Sequence, residues 1–355
     1  MQSLLLSGID WSVAVRLARQ HRVHLLLHQR LEKAALAMMP PDILQQLSNL
    51  VRFNAISNVR LLQELTHLLH LFESENIVAI PFKGPMLAIM AYGDLALRQF
   101  GDLDILIPSG AMLTAQEVLL KDGYVQQRCG RELNPGSASQ LLNSQYRYDE
   151  WYWKTLNQKD RFGARVELHW STAPTHTIFP MHAEFIWQNL EPIKLAGTEV
   201  MSLSTTNLLL MLCINYSKDH WRYLRMICDI AAICDRTPHL DWDTILGEAE
   251  FLGRTRAVLL GLNLTHQLLK LPLPEIIAHR IQADPAIASL TQNVCQRLFC
   301  DNGSEPSLAA KIPYNFQLRD RLADKWRYSL YSLLKVVDKP NDKRVQPIKE
   351  VKSLA

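Results

Sequence analysis

The chain has 355 residues, of which 48% are apolar and 21% are charged, and both fractions are typical of a folded globular protein. They exclude a protein that is disordered throughout, and the length allows two domains or one large one. Lysine and arginine number 38 and aspartate and glutamate 35, so the net charge of +3 gives no whole-chain electrostatic case for binding nucleic acid.

The first part of the chain, residues 9–75, has the leucine spacing of helices. Pro40-Pro41 interrupts this spacing and therefore predicts a break between helices. The pattern then changes to a short β-rich run at 77–82, which is followed by a turn and by a short helix predicted over 86–92.

The middle of the chain combines strands with one helix and one loop. Strands are predicted at 103–107, 124–127, 146–155 and 164–170, a helix at 111–122 and a loop at 130–145. The remainder is helical, with helices predicted over 205–217, 220–236, 242–252 and 254–270 and others up to about 336. We therefore expect an α+β protein with an N-terminal helical region (1–75), a small α/β core (76–203), a C-terminal helical domain (204–336) and a polar tail (337–355).

The six cysteines show no CxxC spacing, which argues against a zinc ribbon or a thioredoxin-type site. Most of them lie in apolar runs, as buried free thiols do. The N-terminal sequence lacks the features of a signal peptide, and no apolar run reaches the roughly 18 residues of a membrane helix. We expect a soluble protein of the reducing cytoplasm, without a membrane partner.

Two aspartates, Asp102 and Asp104, are separated by one residue at the strand predicted over 103–107. Side chains at i and i+2 of a strand lie on the same face, so the two carboxylates are neighbours. Like charges this close repel, and a divalent cation stabilises them; oxygen ligands favour Mg²⁺ or Mn²⁺ over zinc. An acidic pair by itself is also common on protein surfaces, so the interpretation depends on its context.

Two further features supply that context. Lys83-Gly84 lies at a strand-to-helix turn, where glycine lets backbone approach a ligand and a helix N-terminus favours phosphate, although such a turn is also an ordinary connection. Glu167 lies on the alternating strand at 164–170 and would join Asp102 and Asp104 if the two strands were adjacent. Three such acids can hold two metal ions for in-line phosphoryl transfer.

This arrangement resembles the DNA polymerase β-like nucleotidyltransferase superfamily, and within it the family of uncharacterised nucleotidyltransferases. The resemblance is carried by these motifs, from about residue 80 to 235: Lys83-Gly84, Tyr92-Gly93-Asp94, Arg98, Gly101-Asp102-Leu103-Asp104-Ile105, Glu167-Leu168-His169-Trp170, and Lys218, Trp221, Leu224 and Asp229.

The resemblance implies a polymerase β-like core and a catalytic, metal-binding set of Asp102, Asp104 and Glu167. It further implies roles in binding the nucleotide or supporting the site for a second set: Lys83, Gly84, Arg98, Lys218, Asp229 and His169. For Arg98 the alternative is a surface ion pair with Asp94, and for Asp229 it is an interdomain polar contact. Mg²⁺ or Mn²⁺ would be the cofactor and an NTP the co-substrate.

The chain departs from the family pattern at three places. Gly84-Pro85 stands where relatives more often have Gly-Gly or Gly-Ser. Pro85 has neither a hydroxyl nor a backbone N–H to offer to a phosphate. The third acid is Glu167 rather than the more frequent aspartate. Asn215 and Asp219 lie near the positions where relatives carry histidine, so no catalytic histidine is carried over to them.

Two other groups admit a functional and a structural interpretation. His21, His24 and His28 share a helical face and could bind a metal, although the polar residues around them favour an ordinary solvated face. The aromatic side chains of Tyr146, Tyr148, Trp151 and Trp153 could stack on a base, although packing against a core is the more common role.

The sequence therefore predicts a metal-dependent nucleotidyltransferase that moves an NMP from an NTP to a hydroxyl or phosphate and releases pyrophosphate. Its small net charge favours a small-molecule, peptide or protein acceptor over a long nucleic acid. One alternative is a catalytically inactive nucleotide-binding or protein-interaction module on the same fold. Another is a transferase of a different group onto peptides or proteins. The oligomeric state is not predicted.

Overall fold

The computed structural model describes residues 8–31, 38–128, 131–132, 149–157, 162–170, 187, 189–299 and 307–337. Most of the loop predicted at 130–145, together with Tyr146, Tyr148 and the tail beyond residue 337, lies outside the described residues. Within that loop Arg131–Glu132 forms a short strand, so the loop prediction is wrong there.

Among the described residues, three helices precede the sheet, as the leucine spacing predicts. They are α1 (Trp11–Gln20), α2 (His24–Arg30) and the long α3 (Pro41–Ser74). The carboxylate of Asp10 accepts a hydrogen bond from the backbone N–H of Val13 at 3.0 Å and so caps α1. The predicted break at Pro40-Pro41 is confirmed, because α3 begins at Pro41, where proline costs no helical hydrogen bond.

The centre of the protein is a six-stranded mixed sheet with the strand order β1-β2-β6-β5-β3-β4. Its strands are β1 (Ile80–Pro81), β2 (Asp102–Leu106), β3 (Val125–Arg128), β4 (Arg131–Glu132), β5 (Asp149–Asn157) and β6 (Phe162–His169). Strands β2 and β6 are parallel, and the other neighbouring pairs are antiparallel. Helix α4 (Gly84–Leu87) continues as a π turn (Ala88–Tyr92), and α5 (Met112–Lys121) connects β2 to β3.

The two faces of the sheet have different neighbours. One face packs on α3 and α5 through alternating apolar side chains of β2 and β6, which are Leu103, Ile105, Ala164, Val166 and Leu168. The other face carries Asp102, Asp104 and Glu167, and Leu106 at the end of β2 joins the core of the C-terminal helices. The period of two along each strand thus separates the core side chains from the polar ones.

A two-stranded hairpin, β7 (Leu190–Leu195) and β8 (Thr198–Leu203), precedes the C-terminal helices and was not predicted. Its turn residues Ala196 and Gly197 both have positive φ, at 51° and 86°, as a primed hairpin turn requires. The alternation on both sides of Ala196-Gly197 is the signal that would have predicted it.

Eight helices follow the hairpin in the described part of the chain. They are α6 (Thr205–Lys218), α7 (Leu224–Arg236), α8 (Trp242–Leu252), α9 (Thr255–Leu269), α10 (Glu275–Ala283), α11 (Pro285–Phe299), α12 (Leu308–Gln317) and α13 (Leu322–Val337). The α+β class, the small mixed sheet and the flanking helices are therefore confirmed, whereas the division into domains stays a prediction. No helix among the described residues has the length and apolar character needed to cross a bilayer.

A buried ion pair joins the α/β core to the C-terminal helices. Arg98 binds Asp229 of α7 through two hydrogen bonds, from Nε to Oδ1 at 3.0 Å and from a terminal nitrogen to Oδ2 at 3.1 Å. The hydroxyls of Tyr92 and Tyr216 also donate to Asp229, at 2.8 and 2.6 Å. Asn58 of α3 donates to the backbone oxygen of Arg98 at 2.9 Å, so three parts of the chain meet at this pair.

Removing the charge of Asp229 should destabilise the fold. The substitution Asp229→Asn leaves the buried Arg98 without a counter-charge, and we expect it to lower the free energy of unfolding by about 3–5 kcal/mol. Urea denaturation measures this loss. Asp235→Asn changes an exposed aspartate of the same helix and should stay within about 0.5 kcal/mol of the wild type. Equal stability of the two variants would contradict a structural role for the pair.

Candidate active site

Strands β2 and β6 bring the predicted acids together. In their parallel register Asp104 lies opposite Glu167, and Asp102 lies opposite Arg165. Leu103 and Val166 point to the other face and are buried there, which fixes the direction of the acidic side chains. The two strands are adjacent, which is the condition under which Glu167 was expected to join Asp102 and Asp104.

The side chains that could hold a metal ion are Asp104, Glu167 and His169. One ligand atom from each lies within 4.8 Å of the other two. His169 Nε2 is 3.2 Å from Asp104 Oδ1 and 3.8 Å from Glu167 Oε2. His169 therefore contacts the two carboxylates directly, whereas the sequence predicted only that it would support the site. The two carboxylates offer the oxygen donors that Mg²⁺ and Mn²⁺ prefer, so the donor set fits the expected metal.

Asp102 is not part of this group, but it is tied to it by an arginine. Arg165 donates a hydrogen bond to the carboxylate of Asp102, and the same terminal nitrogen is 3.4 Å from Glu167 Oε1. On the other side, Lys83 Nζ lies 3.4 Å from Asp104 Oδ1. The charges of the three acids are therefore balanced by side chains of the protein, which keeps three carboxylates together without an ion.

These contacts shift the pKa values in opposite directions. Burial, together with the negative charges of Asp104 and Asp102, raises the pKa of Glu167 to about 8. Burial would also raise the pKa of Asp104, but the charges of Lys83 and His169 outweigh it and hold that pKa below its usual range. Two neighbouring carboxylates thus differ in protonation, which is the pattern of an acid–base site.

The turn at Lys83-Gly84-Pro85 lies directly against the strand that carries Asp102. Gly84 has φ of +51°, and a Cβ at this position would lie 2.9 Å from the backbone oxygen of Asp102. Glycine is therefore required both by the backbone angle and by the space. The helix that follows has only four α-helical residues, and Pro85 has no N–H, so the turn presents few donors to a phosphate.

A cleft of about 400 Å³ opens beside the acids. It is lined by Lys83, Gly84 and the three acids, and also by Arg22, Gln99, Tyr223 and Arg225 of the surrounding segments. The sequence did not predict the last four, since their contribution depends on contacts between distant parts of the chain. Arg22 belongs to the helical stretch that the sequence indicated as an ordinary solvated face.

Three other residues that the sequence assigned to nucleotide binding lie in different positions relative to the cleft. Arg98 lines the cleft but is committed to Asp229, and its alternative surface pair with Asp94 is wrong because Arg98 is buried. Asp229 is fully buried and forms a polar contact between Arg98 and the C-terminal helices, so its carboxylate does not reach the cleft. Lys218 ends α6, and its positive charge acts on Lys83, while the adjacent Asp219 lines the cleft.

The two groups with alternative interpretations are also placed. His21 and His24 are buried, so the expected solvated face is wrong for these two, and the histidines do not form a metal-ligand cluster within the described residues. Trp151 lies opposite Glu167 in β5, is 39% exposed and has the Arg165 guanidinium 5.6 Å from its ring centroid. This tryptophan is therefore on the acidic face rather than in the core.

A second group with metal-ligand spacing lies elsewhere and consists of Glu64, His67 and Asp122. Lys154 Nζ lies 2.8 Å from Asp122 and 3.5 Å from Glu64, and Tyr124 donates to Glu64 at 2.8 Å. A lysine ammonium already occupies the position between these carboxylates. The acids of β2 and β6, which border a cleft, are the better candidates for a metal site.

The chain is similar to one family of known proteins and, weakly, to one solved structure. The model of a family described as an uncharacterised nucleotidyltransferase matches residues 7–270, which is well over half of the chain. A solved structure, that of an antigenic nucleotidyltransferase-like protein from Paracoccidioides brasiliensis, is similar over 67% of this chain and 91% of that chain, with 16% sequence identity and a TM-score of 0.35. No curated protein matches the chain.

Manganese binding distinguishes the two acidic groups. We expect Asp104→Asn to weaken Mn²⁺ binding by at least about tenfold, because it removes a charged oxygen ligand. Asp122→Asn, in the group that Lys154 occupies, should leave the affinity unchanged. Isothermal titration calorimetry with MnCl₂ measures both. Loss of binding in Asp122→Asn but not in Asp104→Asn would place the metal at Glu64, His67 and Asp122 and would contradict the proposed site.

Proposed function

The chain belongs to the uncharacterised nucleotidyltransferase family, and on that premise we propose that it is a metal-dependent enzyme that transfers an NMP from an NTP to an acceptor. The observation that carries the proposal is the pairing of Asp104 with Glu167 across two parallel strands, at the edge of a cleft that also contains cationic side chains. A carboxylate pair beside a cationic cleft suits a nucleotide that carries both metal and phosphate.

Asp104 and Glu167 would hold Mg²⁺ or Mn²⁺, with Asp102 as the third acid of the site. Such a metal withdraws negative charge from the reacting phosphate and aligns the nucleophile with the leaving group. Lys83 pairs with Asp104 and lies beside Gly84 at the cleft, so it is placed to contact the nucleotide as well. Lys218 adds positive charge behind Lys83.

Transfer to a hydroxyl requires one proton to leave the acceptor, whereas an ionised phosphate oxygen attacks without losing one. The acceptor oxygen attacks the α-phosphorus, the bond from that phosphorus to the oxygen bridging to the β-phosphate breaks, and pyrophosphate departs. When the acceptor is a hydroxyl, its proton passes to the carboxylate of Glu167. Burial and the neighbouring aspartates raise the pKa of Glu167 to about 8 without a metal, so a bound cation would be needed to keep this carboxylate ionised for the role.

The size of the cleft and the net charge of the chain bear on the acceptor. A small molecule, a peptide or a protein carrying a hydroxyl or phosphate suits a cleft of about 400 Å³. The net charge of +3 gives no support for a long nucleic acid as the acceptor. We keep the cytoplasm as the expected location, where NTPs are available.

A second candidate is a nucleotide-binding module without catalysis. The observation in its favour is the internal balance of charge, since Arg165 contacts Asp102 and Glu167 while Lys83 contacts Asp104. A site that has lost its metal would keep such pairs. Binding of an NTP without release of pyrophosphate would support this candidate.

Loss of Asp102 should abolish transfer. We expect Asp102→Asn to lower the rate at least about a hundredfold, because the site loses one of its three negative charges. Transfer is measured with α-³²P-labelled NTPs, Mn²⁺ and a panel of small-molecule and peptide acceptors, as label on the acceptor together with released pyrophosphate. Asp243→Asn changes an acid in the first turn of α8 and should retain full activity. Near-normal turnover in Asp102→Asn, with an unchanged circular dichroism spectrum, would contradict the assignment.

Arg165 provides a test of the second candidate. If the site binds metal, Arg165 competes with the cation for Asp102 and Glu167. We therefore expect Arg165→Gln to tighten Mn²⁺ binding by about three- to tenfold, as removal of a partly exposed competing charge should. Calorimetric titration of this variant and the wild type gives the comparison. Absence of Mn²⁺ binding in both proteins would favour the non-catalytic module.

A further inference from the structure

One wall of the cleft is built by helices outside the sheet. Arg22 lies at the turn between α1 and α2, Tyr223 is the N-cap of α7, and Arg225 lies in the first turn of α7. These three residues, which we call the arginine wall, line the same cleft as the acids of β2 and β6. The N-terminal helices thus contribute directly to the candidate site.

The arginine wall is held by contacts between its two helical parts. The guanidinium of Arg22 donates to the hydroxyl of Tyr223 at 3.3 Å and lies 4.1 Å from the centroid of its ring. The backbone N–H of Arg225 donates to the backbone oxygen of His21 at 3.2 Å, and its side chain donates to the oxygen of Gln99 at 3.0 Å. The two arginines are therefore positioned before any ligand arrives.

The two arginines of the arginine wall differ from the other cations of the cleft, because those cations each contact a carboxylate. Lys83 and Arg165 contact the acids, and Arg98 is bound to Asp229. Within the described residues, neither Arg22 nor Arg225 has a carboxylate within ion-pair distance.

Arg225 also has a buried donor that the protein does not use. Its side chain is 8% exposed, and its Nε has no hydrogen-bond partner among the described residues. Burial, and next the charge of Arg98, lowers the pKa of Arg225, and the more distant charge of Asp229 offsets this only in part. Burying a guanidinium charge costs free energy, and an anion bound at the cleft beside Arg225 would offset part of that cost.

We propose that Arg22 and Arg225 bind the phosphate chain of the nucleotide, in place of the Gly84-Pro85 turn. Guanidinium groups form paired, charge-assisted hydrogen bonds to phosphate oxygens. The turn offers no hydroxyl, and Pro85 offers no N–H, so Lys83 and the few remaining donors of the turn leave room for others. This inference rests on the proposed function, since it assumes that a nucleotide enters the cleft.

Inorganic tripolyphosphate tests the inference without metal, base or turnover. We expect the full-length protein in EDTA to bind it in a calorimetric titration. Arg22→Gln should weaken binding about tenfold, as loss of one charge-assisted contact does, and Arg225→Gln at least as much. Arg16→Gln changes an exposed arginine of α1 away from the cleft and should bind like the wild type. Arg22 is also exposed, so its variant should fold even if Arg225→Gln does not.

The outcomes separate this inference from the proposed function. Wild-type affinity in Arg22→Gln and in folded Arg225→Gln would overturn the inference, as would a protein that does not bind tripolyphosphate. A nonhydrolysable NTP that binds without displacing tripolyphosphate would also overturn it, because the arginine wall would then hold an anionic acceptor. Asp102→Asn should still bind tripolyphosphate, so a failure of the catalytic assignment leaves this result unaffected.

Discussion

The position of the site depends on the buried contact between Arg98 and Asp229. Arg98 follows the short helical segment that begins at Gly84, whereas Asp229 lies on a helix of the C-terminal region, and each is almost completely buried. Such a pair is stable only because its remaining hydrogen-bonding capacity is filled, which Tyr92 and Tyr216 do. The ion pair between Arg98 and Asp229 fixes the C-terminal helices beside the acidic face of the sheet and so helps to form the cleft.

Charge balance explains how the acidic face can exist within the folded protein. Asp104 and Glu167 are direct neighbours across β2 and β6, and their repulsion is offset by Lys83, Arg165 and His169. Lys83 and Arg165 line the cleft as well as contacting the carboxylates, so both are placed to change partners when metal and nucleotide enter. Stability of the free protein and ligand binding therefore involve the same side chains.

Particular residues show what the sequence could and could not predict. Asp102, Asp104 and Glu167 were predictable because strand alternation places them on one face and the apolar residues between them on the other. The direct contact of His169 with Asp104 was foreseen only as a supporting role, since its distance depends on the strand register. Arg22 escaped prediction because it meets the cleft only through tertiary contacts between segments about two hundred residues apart.

The most direct test of the proposed site is anomalous diffraction at the manganese edge from crystals soaked with MnCl₂ and a nonhydrolysable NTP. We expect manganese in contact with Asp104 and Glu167, with the phosphate chain extending toward Arg225. Manganese between Glu64 and Asp122, or a nucleotide bound away from the face formed by β2 and β6, would contradict it.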